Sequence, residues 1–310
     1  MPKNTLVLID GNAIMHRAYH ALPLLSTDKG ISTQVIYGFL SMLYKIVFEF
    51  SPTHLTIAFD TPKPTFRHQL FKEYQGQRPK IEDSFRKQIP LVKEAIDLSG
   101  IYRLEKEGYE ADDIIGTVCK SLEKDDNFNI FVISGDKDIL QLVNNHVYVA
   151  SPISGLTTIK IYDEKKVLEK FGILPKQIVD YKALTGDPSD NYPGAKGIGP
   201  VTASKLIKQF GTLDNLYQNL NQIGSEKIKK ILIQEKEKVY LSKKLATILT
   251  DLPIKIDIEK MRFFGFNKKL KDFLKRYQIY SLLKRIFGEE KEKKEKKQEE
   301  KYKIEQETLF

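Results

Sequence analysis

Apolar residues in this chain follow two rhythms. Short unbroken runs, LVLI ahead of Asp10, LTIAF ahead of Asp60 and IFVI ahead of Ser134, read as buried strands. Longer stretches space their apolar residues along one face of a helix. The clearest of these runs from Gln34 to Phe50 and stops before Pro52. The pattern predicts strands at 5–10, 54–59, 101–104 and 129–133, with short strands within 147–161. Between them it predicts helices starting near Asn12, covering 34–50, ending at Leu98 and passing from Asp113 to Leu122. Such alternation implies an α/β domain over 1–174, with a mainly parallel sheet and helices on both faces. From Pro175 only helical periods and Gly/Pro turns remain, which predicts an all-α domain over 175–287. Residues 288–310 are a low-complexity Lys/Glu tail that cannot bury a core.

The polar residues that stand out close or follow apolar runs. Asp10 and Asp60 end two strands; Glu110, Asp112 and Asp113 fall in GYEADDIIG, Asp136 and Asp138 in ISGDKD, Asp187 and Asp190 in TGDPSDN. Taken singly, an Asp after a strand is usually a helix cap or turn residue, and Asp112 with Asp113 suits a helix's first turn. Taken together, parallel strands deliver these carboxylates to one sheet edge, where sites in open α/β sheets lie. Crowded like charges repel, and no structural role rewards the crowding. Divalent cations do, and hard oxygen ligands without His or Cys point to Mg²⁺ or Mn²⁺.

Composition narrows the setting. A length of 310 residues with 41% hydrophobic content allows two compact domains with real cores. The single cysteine, Cys119, excludes disulfide frameworks and cysteine-ligated metals and fits a reducing cytoplasm. No run approaches the roughly 18 apolar residues that span a bilayer, and MPKNTLVLID enters a strand directly, so neither membrane span nor signal peptide is expected. The net charge is +9, while the tail from Glu289 to Phe310 holds seven Lys and eight Glu. The rest of the chain carries the positive excess, which suits a polyanion such as nucleic acid.

Two segments fit that partner. GAKGIG at 194–199 runs into Pro200 and the amphipathic VTASKLIKQFG. Its glycines permit close backbone approach, and the following helix offers free amides and a favourable dipole to a phosphate, with Lys196, Lys205 and Lys208 alongside. No strand precedes it, which argues against a dinucleotide fold; the plainer alternative is an ordinary turn. Residues 61–90 lose periodicity and interleave Arg67, Lys72, Arg78, Lys80 and Arg86 with Phe66, Phe71, Tyr74 and Phe85. That composition suits a nucleic-acid strand threaded past stacking faces. The alternative is a surface loop with a few core aromatics.

With these residues in hand, the chain resembles the 5′-nuclease (flap endonuclease) family. LIDGNAIMHRAYHAL, the FD at 59–60, TFRHQLFKEYQGQRP, GYEADDIIGT, ISGDKDILQLV and TGDPSDNYPGAKGIGPVTASKLI stand in family order. Over residues 4–285 the resemblance is to the 5′–3′ exonuclease domain of bacterial DNA polymerases I, in stand-alone form. It implies a PIN-like sheet, a helical arch at 61–90 and a helix–three-turn–helix DNA-binding domain with a helix–hairpin–helix at 185–209. It implies that Asp10, Asp60, Glu110 and Asp112 hold a first Mg²⁺, and Asp113, Asp136, Asp138, Asp187 and Asp190 a second or its water shell. Some paralogues lack the last acidic group; this sequence keeps it, as an active enzyme does. Arg17, Arg67, Tyr74 and Arg78 would act at the scissile phosphate. Lys72, Lys196, Gly197, Gly199, Thr202 and Lys205 would bind DNA, with K⁺ at the hairpin. Two Mg²⁺ ions about 4 Å apart would activate a water and stabilise the leaving 3′-oxygen. The implied substrates are DNA 5′ ends and flaps and RNA primer–DNA hybrids in replication and repair, with the protein a monomer. One position departs from the family: Gln75, between Tyr74 and Arg78, stands where relatives carry Lys.

The last five residues, QETLF, resemble the QxxLF peptide that docks bacterial proteins onto the DNA sliding clamp. Gln306, Leu309 and Phe310 are then the expected anchor on a hydrophilic tether. Two other readings compete. A PIN-type ribonuclease would share the acidic edge but lack arch and hairpin. A non-catalytic, structure-specific DNA-binding protein would suit Gln75 but not the intact acidic set.

Overall fold

A computed structural model describes residues 3–79, 81–154 and 158–288. Strand β1 (Asn4–Asp10) passes directly into helix α1 (Gly11–Ala21), because Asp10 is itself the cap: its Oδ1 accepts from the Ala13 amide at 2.9 Å. Helix α2 (Gln34–Phe50) ends at Ser51 in the left-handed region, and β2 (His54–Phe59) is buried at every position. In the aperiodic stretch that follows only α3 (Phe66–Leu70) and α4 (Asp83–Arg86) form. Helix α5 (Ile89–Ser99) stops at Gly100 before β3 (Tyr102–Glu105). Then come α6 (Ala111–Ser121), β4 (Phe128–Ile133), β5 (Val147–Ser154) and β6 (Thr158–Tyr162).

The rest is helical among the described residues. Helices α7 (Glu164–Phe171), α8 (Ile178–Thr185), α9 (Pro200–Phe210), α10 (Leu213–Gln218), α11 (Glu226–Gln234) and α12 (Lys236–Ala246) precede α13 (Leu270–Arg276) and α14 (Tyr280–Phe287).

The strands lie in the order β3-β2-β1-β4-β5-β6, parallel except for β6. The chain leaves β1 toward β2 on one side and returns to β4 on the other. This is the switch point beside which a crevice opens at the strands' C-terminal ends. Each sheet face has its own core. Leu6, Leu8, Ile130 and Val132 pack on α6, and that core continues without a break into Ile178, Leu184, Ile207 and Leu232. Val7, Ile9 and Ile57 pack beneath α1, α2 and α5. Helices α13 and α14, expected with the helical domain, instead return to this second core through Leu270, Phe273, Leu282 and Ile286. Their apolar faces find α5 and α2 as partners.

Candidate active site

The parallel register places Asp10 opposite Ala58, so Asp10 and Asp60 leave the same sheet edge from neighbouring strands. Asp60 Oδ1 accepts from the Ala111 amide at 2.7 Å, which fastens β2 to the start of α6. Glu110 and Asp112 stand at that helix start. Glu110 accepts from the Thr65 hydroxyl at 3.2 Å and the Tyr74 hydroxyl at 3.3 Å. From β4, Ser134 donates to Asp10 Oδ2 at 3.0 Å and accepts from the Asp136 amide at 3.1 Å. Asp136 Oδ1 in turn accepts from the Asp138 amide at 2.8 Å.

The last two acids come from a tight loop. Asp187 and Tyr192 exchange backbone hydrogen bonds of 2.9 and 3.1 Å. Below them the chain passes itself closely at Gly186 and Gly194; a Cβ on Gly194, whose φ is 60°, would lie 2.2 Å from the Gly186 nitrogen. Only glycine fits there. Oxygens of Asp138, Asp187 and Asp190 thereby come within 4.8 Å of one another.

The electrostatics of the group are those of a site short of positive charge. Burial, then the Asp60 charge, pushes Asp10 up to about 7 against hydrogen bonds from Ala13 and Ser134. Burial likewise raises Glu110 and Asp138 to about 7, outweighing Arg67 in the first case and Lys182 in the second. Asp112 is held well above the ordinary carboxylate range by burial and by Asp136, Asp10, Glu110 and Asp60. Asp60 and Asp136 shift upward for the same first reason. Asp187 moves the other way: burial raises it, but Lys182 and Ser189 more than offset that. The Asp112 carboxylate has no hydrogen-bond partner among the described residues. All-oxygen donors, crowded and under-neutralised, fit hard divalent cations.

Two expected site residues are assigned to each other instead. Arg67, 3% exposed at its side chain, grips Asp113, 0% exposed, through Nη1 at 2.7 Å and Nη2 at 2.8 Å. Its Nε donates to the Leu245 carbonyl and Nη2 also to that of Thr247, while Nη1 lies 3.5 Å from Glu110. Asp113 further accepts from the amides of Leu249 and Glu110. Each nitrogen of Arg67 donates at least one hydrogen bond, and both Asp113 oxygens are taken. Where Asp113 was expected at a metal and Arg67 at the phosphate, the structure pairs them with each other, and together they clamp α3 to α6 and the 245–249 strap.

Tyr74 is buried, and its hydroxyl lies 3.3 Å from both Glu110 and Asp190. Arg78, its side chain 50% exposed, pairs with Asp190 at 2.6 Å and reaches over the acids. Gln75 takes a left-handed φ of 55° and donates its amide to the Asp190 carbonyl. Arg17 is half-buried on α1, and Lys72 is exposed on the arch. The arch aromatics serve less as stacking faces than expected. Phe85 is buried against His16 and Tyr19, and Tyr74 lies in a small cluster with Tyr192 and Leu245. Lys182, not singled out from the sequence, contacts both Asp138 and Asp187. As one lysine among many in a helical run, it carried no pattern that would have marked it.

The 194–199 hairpin leads from the acidic loop into α9. Gly199 is the helix cap without a side chain, Pro200 follows, and no acid stands in the first turn. Lys196, Gly197, Gly199 and Lys205 are exposed, Thr202 is half-buried, and Gly197 has φ 100°. Amide groups at such an uncapped start face outward. Gln306, Leu309 and Phe310 lie outside the described residues. Among the described residues no helix is long and apolar enough to cross a membrane.

Comparison with known proteins agrees with this geometry. Residues 5–172 match the 5′–3′ exonuclease N-terminal, resolvase-like domain, and residues 173–269 the 5′–3′ exonuclease C-terminal SAM fold. A 5′–3′ exonuclease of Aquifex aeolicus is 38% identical over 283 residues, 91% of this chain and 95% of that protein. DNA polymerase I of Bacillus subtilis is 45% identical over 267 residues, 86% of this chain but only 30% of the polymerase. The flap endonuclease of bacteriophage T5, in a complex with DNA and metal ions, shares the fold. Its TM-score is 0.65 at 22% identity, covering 88% of this chain and 98% of that one. The chain belongs to the 5′–3′ exonuclease family.

Proposed function

We propose that this chain hydrolyses phosphodiester bonds at DNA 5′ ends and 5′ flaps, using Mg²⁺ held by its acidic edge. The observation that carries this reading is the convergence of eight carboxylates, most pushed upward in pKa by burial and by one another. Asp10, Asp60, Glu110 and Asp112 would hold one ion, and Asp136, Asp138, Asp187 and Asp190 a second. Bound Mg²⁺ would supply a Lewis acid for the phosphate and would lower the pKa of a coordinated water so that it can serve as the nucleophile.

The protein groups do the rest. Arg78 is half-exposed beside Asp190 and meets the phosphate at the arch foot. The Tyr74 hydroxyl orients Glu110 and Asp190. The hairpin amides with Lys196 and Lys205 grip the duplex backbone without reading sequence, and K⁺ at the hairpin would add to that grip. The T5 nuclease and its DNA complex support the DNA substrate. RNA primers paired to DNA are a further substrate of the same site. The protein works as a cytoplasmic monomer, tethered to the sliding clamp through 306–310; unchanged clamp pull-down after deleting 306–310 would exclude the tether.

The decisive assay uses a 5′-labelled flap duplex with Mg²⁺, beside EDTA and Asp136→Ala. Cleavage near the junction, lost in both controls, is expected. Tight flap binding without cleavage in Mg²⁺ or Mn²⁺ would establish the binding-only reading that Gln75 favours.

A further inference from the structure

The carboxylates divide into two groups by what neutralises them. Among the described residues, Asp10, Asp60 and Asp112 of the first group make no ion pair and Glu110 has only a 3.5 Å approach from Arg67, while in the second group Asp136 alone is unpaired. Asp138, Asp187 and Asp190 are the three acids whose oxygens lie within 4.8 Å of one another, and each is paired. Lys182 Nζ lies 2.6 Å from Asp138 Oδ1 and also touches Asp187 Oδ2; Arg78 holds Asp190 at 2.6 Å. The Lys182 side chain is 12% exposed, so this is a built contact and not a surface encounter. Its geometry is that of an occupant more than a partner. The ammonium sits between two carboxylates, against Asp138 Oδ1 and Asp187 Oδ2 together. The stem rises from α8, the helix that leads into the acidic loop.

We propose that Lys182 is the resident cation of the second carboxylate group and sets the order of metal loading. The first group is open to an ion from solution. The second takes one only when the ammonium gives way, which an incoming phosphate promotes by offering Lys182 and Arg78 another anion. The second site is therefore weak without substrate and strengthened by it. Lys182 acts as a positioning residue, working through Asp138 and Asp187. This inference rests on the metal-dependent nuclease reading above.

Mn²⁺ binding by the full chain, followed by electron paramagnetic resonance without DNA, tests it. Wild type should show one tighter and one weaker site. In Lys182→Met the weaker site should tighten by at least about tenfold, a difference of ~1.4 kcal/mol, with the first unchanged. Lys182→Arg, which keeps the charge, should retain the weak site and reports on folding independently of the methionine variant. The thermal shift on adding Mn²⁺ should be larger in Lys182→Met than in wild type, since the metal-free variant leaves paired acids uncompensated. Two sites with unchanged affinities in Lys182→Met, or a second site weakened there, would overturn the inference alone. Absence of Mn²⁺ binding in wild type would overturn the nuclease reading and this inference with it.

Discussion

The Arg67–Asp113 clamp gives the sharpest test of how the acids divide their work. Replacing Arg67 by Met strands a carboxylate that is 0% exposed and removes the donors to the Leu245 and Thr247 carbonyls. Replacing Asp113 by Leu strands a guanidinium 3% exposed at its side chain. Breaking such a buried pair costs about 3–5 kcal/mol, because the surviving charge stays buried without compensation. Against a typical total of about 5–15 kcal/mol, either single change should shift the urea midpoint strongly. The double variant Arg67→Met/Asp113→Leu removes both charges and should recover much of the loss, with a coupling energy of roughly 3 kcal/mol. Urea denaturation of the four proteins gives the cycle, and Mn²⁺ isotherms on the same samples report the metal sites. The clamp reading requires large single losses, partial recovery in the double variant, and Mn²⁺ affinity kept in the double variant. It is refuted if Asp113→Leu costs under about 1 kcal/mol while lowering Mn²⁺ affinity as far as Asp10→Asn does.

Other outcomes follow from the same geometry. Because Asp10, Glu110 and Asp138 are raised to about 7, metal must displace protons below that pH. Mn²⁺ affinity should climb with pH and level off above about 7, and calorimetry in two buffers should show proton release at pH 6. In the metal-free protein the folded state binds protons that the unfolded chain gives up. These groups' contribution is then fully present below about pH 4 and lost as pH rises through about 7, which the pH dependence of Tm in EDTA measures. Gly194→Ala places a Cβ 2.2 Å from the Gly186 nitrogen at a φ of 60°, and should cost about 2–4 kcal/mol and displace the acidic loop, read as lost flap cleavage. Gln75→Lys adds a cation beside Asp190 and should speed single-turnover flap cleavage by about tenfold, ~1.4 kcal/mol of barrier; an unchanged rate would show that Arg78 already suffices.

Where burial is uniform, the chain could be read directly. His54–Phe59 is apolar enough to announce a strand closed off on both faces, and it is buried at all six positions. The 3.6-residue period gave α2 its ends because Pro52 forbids continuation and every third or fourth residue faces the core. The same reasoning stops short at α14. Its amphipathy says that one face is covered, but not that α2 covers it, because a periodic pattern holds no information about the partner. Adjacent acids posed the same problem at the site. Asp112 and Asp113 look alike in sequence, yet a helix turns them about 100° apart. A usable signal was present. Asp113 shares its face with Gly116 and Thr117; a Cβ on Gly116 would meet Ile248 at 2.6 Å, and Thr117 accepts from the Leu252 amide. A glycine and a threonine one turn on mark a face pressed against the 248–252 segment.

The counter-charges were the least legible part, and they explain why the site is built asymmetrically. Had the chain supplied a cation to every acid, the sheet edge would be a stable ion-pair network with little cause to bind metal. Had it supplied none, eight crowded carboxylates would have weakened the fold that presents them. It neutralises Asp187 and Asp190 on the loop, together with Asp138, through Lys182 and Arg78, and leaves unpaired Asp10, Asp60 and Asp136 at or just after the ends of β1, β2 and β4, and Asp112 at the start of α6. Rigid strands can carry the cost of unpaired charge, because the cores on both sheet faces hold the geometry against repulsion. The Asp187–Asp190 loop lies beyond the sheet, held by its own turn hydrogen bonds and by contacts with residues 73–75 and Ser242, so its acids rely on resident cations until a phosphate arrives.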